Sequence, residues 1–355
     1  MPVLPIAQVQ SGDRLGREVQ TGFGNLLFPE GRVLGPRDLE ILQAYLIPSV
    51  DIRRAGLSEV EAAEEEEQQQ ETSSPLTPLQ QAFSRMEKLM KVTFQMMSPG
   101  QRLPILDIRN GLKELLERIA DYHALTFVPP QEVAIVPWIR NSILTALTSY
   151  QLARWMRMPE KDLVPAALAG LLHDIGNTRV DPAIFRKPGR LTPEEVNEMR
   201  QHTVYGFRML EGVASLNQGV SLAALQHHER IDGSGYPMRV TGDRIHPYAR
   251  VVAVADVYHA MTSTRTHREA QSPYLVLEEL QAEAFGKLDP LMVQTFVEKT
   301  TQFQSGMLVQ LNDNRVGEVV FTDRQHPTRP MVSIFGEIVN LAQTRDLYIC
   351  AIYSP

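Results

Sequence analysis

The sequence predicts a mainly α fold, with a helical core between a small α+β module at the N-terminus and a small β module at the C-terminus. Three observations predict it. Apolar residues recur at helical spacing from about residue 80 to 300. Before residue 57 and after residue 303 they come instead in short runs broken by glycine and proline, the pattern of strands and turns. Between them, residues 57–79 hold seven Glu and three Gln and almost no large apolar side chain. Such a stretch cannot bury enough surface to offset its chain entropy, so it reads as an exposed linker.

The elements follow in order. In residues 1–56, "FGNLLFPEGRVL" reads as a hairpin or small β unit and "GPRDLEILQAYL" as a short helix opened by Pro36. Residues 80–134 carry two amphipathic stretches, "LQQAFSRMEKLMKVTFQMM" and "ILDIRNGLKELLERIADY", expected to pack on the core. In residues 135–303, "IRNSILTALTSYQLARWM" is a further helix. "KDLVPAALAGLLHDIG" and "ARVVAVADVYHAMTS" are apolar nearly all round, as buried helices are. "TPEEVNEMRQHTVYGFRMLE" opens on a capping box, Thr192 and Glu195. "SLAALQHHERIDGSGYP" runs from helix into a glycine-rich loop. Residues 304–355 alternate in short runs, "MLVQL", "VGEVVF", "MVSIF" and "YICAIY", as a small β module does.

Bulk composition excludes several classes. The chain has 355 residues and a formal charge of −7, without the basic excess of proteins that bind long nucleic acids. A single cysteine, Cys350, rules out a disulfide framework within the chain and suits a reducing compartment. No apolar run reaches the roughly 20 residues needed to span a bilayer, and the first residues show no secretory pattern. A cytoplasmic protein is expected.

The chemistry is carried by histidines and carboxylates set in apolar helices. A lone buried His is usually a hydrogen-bonded core residue, and a lone buried Asp is usually salt-bridged. Here four of nine histidines (His173, His202, His227 and His228) lie beside apolar positions, with Asp174 next to His173 and Asp256 in a helix bearing no other carboxylate. A buried carboxylate needs a cation or several donors. His and Asp ligands suit Fe, Mn or another transition metal, and six of them could hold two ions. A two-ion site favours phosphoester hydrolysis.

These motifs, "HDIG" at 173–176, His202, "HHERIDGSGYP" at 227–237 and "VAVADVYHAMTS" at 252–263, resemble the HD-GYP domain, a subfamily of the HD metal-dependent phosphohydrolases. The resemblance covers roughly residues 135–300. It implies an HD-type helical bundle, a divalent metal centre of two or three ions, and cyclic di-GMP as substrate, opened to pGpG and cut further to GMP. It implies His173, Asp174, His202, His227, His228 and Asp256 as metal ligands, with Asp174 bridging and catalytic. Gly233 and Gly235 would let the loop turn, and Tyr236 would lie near the substrate. Arg265 and Arg268, in "TSTRTHREA", would contact phosphate and guanine. Arg230 is a further candidate cation.

The chain departs from the family pattern at several places. Asn141 stands where the resemblance implies a His ligand, and Pro137 where some members carry Glu. Asn141 could offer only a carbonyl oxygen; with Thr145 and Thr148 it forms a polar stripe at helical spacing. Asn177 stands where Lys would neutralise the scissile phosphate; it keeps a donor without the charge. Loss of one preorganised donor typically costs on the order of 10²–10³ in rate. Thr264 and His267 replace the usual Asp and Tyr. Two readings follow: a cyclic di-GMP phosphodiesterase, of full or reduced activity, or an inactive protein that binds cyclic di-GMP or a protein partner.

Overall fold

Two nearly uncharged helices set the helical part of the molecule. In the computed structural model, which describes residues 3–20, 26–45, 47–53, 76–96, 103–130, 137–187, 189–263, 271–283 and 286–352, the chain forms two units. Residues 76–301 make one. Residues 1–75 and 302–355 together make the other. The acidic stretch 57–75 lies outside the described residues.

The terminal unit holds helix α1 (Pro36–Ala44), with Pro36 at its first position as read from sequence. Strands β1 (Val3–Pro5), β5 (Ser49–Arg53) and β2 (Arg14–Leu15) form one antiparallel sheet in the order β1-β5-β2. Of the two expectations for "FGNLLFPEGRVL", the described residues form part of a small β unit and not a hairpin. Strand β4 (Leu26–Phe28) instead pairs back onto β3 (Val19–Gln20), and Val33 bridges Arg14. Pro29, Glu30 and Gly31 separate the two runs, and each run pairs with a segment upstream. At the other terminus β6 (Leu308–Leu311), β7 (Val316–Phe321), β8 (Met331–Ile334), β9 (Glu337–Asn340) and β10 (Ile349–Ile352) form an antiparallel sheet in the order β10-β6-β7-β8-β9. Strand β9 is polar at both ends and escaped the sequence reading. The two modules share a core: Leu308 and Val316 are buried in one cluster with Leu15, Phe28, Leu42 and Ile52.

The helical unit runs α2 (Pro78–Met96), α3 (Ile105–Leu116), α4 (Pro137–Trp155), α5 (Glu160–Leu172), α6 (Pro182–Arg186), α7 (Pro193–Arg200), α8 (His202–Glu211), α9 (Gln218–Gln226), α10 (Pro247–Thr262), α11 (Pro273–Glu283) and α12 (Pro290–Thr300). Helices α5 and α10 are buried along most of their length, as their composition requires. The capping box at Thr192 and Glu195 forms, but the helix it opens ends at Arg200 and a second begins at His202. None of the helices is long and apolar enough to cross a membrane, among the described residues.

Two glycines explain how the motif loops pack. By sequence, a glycine just past a buried apolar helix reads as its left-handed cap, and Gly176 stands at that place after α5. The helix instead stops at Leu172, and Gly176 sits in the 3-10 turn Ile175–Arg179 without a positive φ. Its smallness is what matters: a Cβ there would lie 1.9 Å from the His202 carbonyl oxygen. In the loop after His228, Gly233 turns with φ +79° as expected, whereas Gly235 is required for close approach. A Cβ on Gly235 would lie 2.4 Å from the His228 oxygen and 2.5 Å from the Arg230 nitrogen. The loop is held there by Glu229, almost wholly buried, whose two carboxylate oxygens accept the amides of Met238 (2.7 Å) and Val240 (3.1 Å).

Two outcomes follow for stability. Gly176→Ala is expected to destabilise the helical unit by roughly 1–3 kcal/mol or more through overpacking, while Gly212→Ala, whose Cβ would meet nothing within 4 Å, stays near neutral. Urea denaturation of both variants checks this, and equal midpoints would overturn it. Glu229→Ala strands two amides of the loop at about 1–3 kcal/mol each. Faster hydrogen exchange at Met238 and Val240 reads that loss directly, and unchanged protection at both amides would show that Glu229 does not hold the loop.

Candidate functional site

Each site residue lies at or just past a helix end, except Asp256. His173 follows the last residue of α5 and Asp174 comes next. His202 opens α8. His227 and His228 follow α9 directly. Asp256 lies inside α10.

Folding brings all six together. Ligand atoms of Asp174, His202, His227 and His228 lie within 4.8 Å of one another, the one such group among the described residues. Asp174 faces two ways: Oδ1 lies 3.4 Å from His202 Nε2 and 3.7 Å from His227 Nε2, while Oδ2 lies 3.5 Å from His173 Nε2. His173 Nε2 is also 3.4 Å from Asp256 Oδ1.

Three of the imidazoles are set in one tautomer. His173 Nδ1 donates to the Gly170 carbonyl (2.7 Å), His202 Nδ1 to that of Met199 (2.7 Å), and His227 Nδ1 to those of Ala223 and Ala224 (3.1 and 3.0 Å). A carbonyl only accepts, so each Nδ1 carries the proton. Each neutral ring then presents an Nε2 lone pair. His202 Nε2 and His227 Nε2 face each other at 3.3 Å, and two lone pairs at that distance call for a cation between them. The donor set therefore fits a divalent metal ion.

The electrostatics carry the same demand. Burial alone would lower the His173 pKa, but the charges of Asp174 and Asp256 outweigh it and lift it to about 9. Burial would raise Asp256, yet His173 opposite pulls it well below the usual carboxylate range. Burial, with His173 and His202 alongside, lowers His227 to about 3, and burial with His227 and His202 lowers His228 as well. Two carboxylates thus face a cluster in which His173 is raised while His227 and His228 are lowered.

The departures from the motif have definite places. Asn141 is buried, and its Oδ1, the carbonyl oxygen it could offer an ion, meets no hydrogen-bond partner. Its Nδ2 donates to Asp256 Oδ1 at 2.9 Å. Thr145 and Thr148 are fully buried beneath it, so the stripe faces the interior. Asn177 is buried in the turn after Asp174, its amide N–H donating to the Asp174 carbonyl (2.9 Å) and its Oδ1 meeting no hydrogen-bond partner. Tyr236 stacks on His228, ring centroids 4.7 Å apart at 23°. Arg230 spends Nη1 on the carbonyls of His227 and Glu229. Arg265 and Arg268, with Thr264 and His267, lie outside the described residues.

Sequence reasoning missed three contributors. Glu229 holds the loop, and its signal was a carboxylate directly after two histidines. His259 lies one turn beyond Asp256; its Nε2 meets Thr148 Oγ1 (2.7 Å) and the Tyr122 hydroxyl (3.3 Å), and burial lowers it to about 3. Its spacing of three from Asp256 puts both on one helix face. Arg200, two residues before His202, places its guanidinium 5.1 Å from the Tyr236 ring centroid.

Comparison with known proteins agrees with this arrangement. The family profile described as HD domain matches residues 114–292. The chain is 36% identical over 195 residues to the cyclic di-GMP phosphodiesterase PA4108 of Pseudomonas aeruginosa, a match covering 55% of this chain and 47% of that one. It is 30% identical over 285 residues to the cyclic di-GMP phosphodiesterase response regulator RpfG of Xanthomonas campestris, covering 77% and 71%. It is 33% identical over 159 residues to the 3'3'-cGAMP-specific phosphodiesterase 2 of Vibrio cholerae, covering 44% and 30%. The chain thus spans about half the length of the first of these relatives and less than a third of the last. In structure, the HDG"Y"P protein Bd1817 of Bdellovibrio bacteriovorus shares the fold, with a TM-score of 0.50 at 14% identity, over 83% of this chain and 97% of that one. With the motif residues gathered at the helix ends as described, the chain belongs to the HD domain family and, within it, to the HD-GYP type of phosphohydrolase.

Proposed function

We propose that this protein is a metal-dependent phosphodiesterase that hydrolyses cyclic di-GMP to pGpG and on to GMP. One observation carries the reading: three Nε2 lone pairs, fixed by backbone hydrogen bonds, converge on an aspartate whose two oxygens face different ligand groups. His202, His227 and His228 would hold one ion with Asp174 Oδ1. His173 and Asp256 would hold a second with Asp174 Oδ2, and Asp174 would bridge. Fe and Mn suit this nitrogen and carboxylate set. When bound, two such ions polarise the phosphate and supply a nucleophile at neutral pH. Relatives named as cyclic di-GMP phosphodiesterases support the substrate.

The chain's own groups have definite tasks in that reaction. Asn141 donates to Asp256 Oδ1, the same oxygen that faces His173 Nε2, keeping its carboxylate aimed. Asn177 offers its side-chain amide to a phosphate oxygen in place of a cation. Tyr236, stacked on His228, walls the substrate side. Water adds to a phosphodiester, one P–O bond breaks, and the departing sugar oxygen takes the proton.

The test is anaerobic incubation of manganese- or ferrous-loaded protein with cyclic di-GMP, and separately with 3'3'-cGAMP, followed by chromatography. We expect pGpG and GMP from the first, abolished by a chelator. His227→Ala is expected to lose bound metal on elemental analysis and at least about 100-fold in rate, since even partners behind the ligands contribute 10–100-fold. Binding without product under either metal would sink the reading and leave a non-catalytic receptor. Metal uptake has its own pH signature. His173 binds a proton up to about pH 9 in the metal-free protein, and an ion must displace it. Apparent manganese affinity should therefore rise with pH, by up to about tenfold per unit between pH 7 and 8.5. A flat profile in equilibrium titration would remove His173 from the ligands.

A further inference from the structure

We infer that Arg200 binds a phosphate oxygen of the substrate and supplies the side-chain charge that Asn177 does not. This rests on the reading of the site as one for a phosphodiester. The first observation is charge. Asp174 and Asp256 would be answered by the ions they hold, but Asn177 is neutral, so a phosphodiester meets no lysine or arginine within the ligand group itself. The second is availability. Arg230 already donates to the carbonyls of His227 and Glu229, and Arg140 is paired with buried Glu87 at 2.8 Å. Arg200 is exposed at the end of α7 and, among the described residues, its guanidinium makes no hydrogen bond or ion pair.

The third observation is placement. The Arg200 guanidinium carbon lies 5.1 Å from the centroid of the Tyr236 ring, and that ring is stacked on His228. An arginine lying on an aromatic ring keeps its edge N–H groups free, and those groups form the fork that fits a phosphate. Tyr236 also feels Asp174, Asp256 and Arg200 together, so the cation and the two carboxylates share one neighbourhood. The Tyr236 ring thus acts as a shelf that holds the guanidinium at the mouth of the cluster. The bland alternative is that Arg200 only packs on Tyr236 and never touches the ligand.

The variants Arg200→Gln and Arg200→Lys separate these. Two probes are used on manganese-loaded protein. One is equilibrium binding of a phosphorothioate analogue of cyclic di-GMP, which resists hydrolysis. The other is kcat/KM for bis(4-nitrophenyl) phosphate, a plain diester. For Arg200→Gln we expect losses of about 10- to 100-fold on both probes, the size of one charge-assisted hydrogen bond. Arg200→Lys should recover part of the loss. The wild-type responses should weaken with added salt, and those of Arg200→Gln should weaken less. The Arg200→Gln loss should be smaller but still present in a Tyr236→Leu background, where the charge stays and the ring that aims it is gone. A loss that vanishes there, or equal salt dependence in wild type and variant, would show a packing role and overturn the inference. Wild-type protein that takes the diester but not the dinucleotide would sink the substrate assignment, while Arg200 is judged on the diester alone. Wild-type protein that takes neither would overturn both.

Discussion

The site depends on one kind of hydrogen bond, made three times. His173, His202 and His227 each donate Nδ1–H to a carbonyl three or four residues earlier in the chain. For His173 and His227 those carbonyls belong to the last turn of α5 and α9, where backbone donors run short, although the Ala223 carbonyl also accepts the His227 backbone amide. The same bond therefore completes the helix end and fixes the ring. It also decides the tautomer, and so aims each Nε2 lone pair inward. A ligand presented this way costs little rotamer entropy on binding, because the rotamer is already chosen by the helix end.

The close packing of the motif loops is the counterpart of that presentation. The turn after Asp174 lies against the first residue of α8, with no room for a Cβ on Gly176. This contact ties the two carboxylate-facing histidines, His173 and His202, to one another through backbone. The Gly235 contact does the same between the loop and the His228–Glu229 backbone. Glu229 then closes the far side of the loop through two amides. The ligand positions are thus over-determined by backbone contacts, which side-chain chemistry alone could not achieve.

Much of this was legible in the sequence, for reasons specific to each residue. The buried helices announced themselves because α5 and α10 are apolar on every face, and a His–Asp pair ending one of them is hard to explain as core. The capping box of Thr192 and Glu195 was readable because both partners are local. What could not be read were contacts between segments distant in sequence. The role of Asn141 depends on Asp256, 115 residues away, and that of Thr148 on His259 and Tyr122. Gly176 was read as a local cap because its real constraint, the His202 carbonyl, belongs to another helix. In the terminal unit, pairing of Leu26–Phe28 with Val19–Gln20 beat the nearer partner, and the sharing of one core by the two chain ends has no local signal at all.

Asp256 shows why the substitution at position 141 need not empty the site. A carboxylate in an apolar helix loses most of its hydration, and it stays ionised only if donors or cations surround it. His173 Nε2 at 3.4 Å and the Asn141 amide at 2.9 Å both reach its Oδ1. A histidine at 141 could have offered a lone pair to an ion; the asparagine offers a proton to a carboxylate instead. That exchange removes one nitrogen ligand, yet it holds the remaining carboxylate ionised and oriented toward His173. The neutral stripe of Thr145 and Thr148 behind it keeps that helix polar without adding charge. The side of the site bearing Asp174, His202, His227 and His228 is untouched by the change, since none of those residues bonds to Asn141.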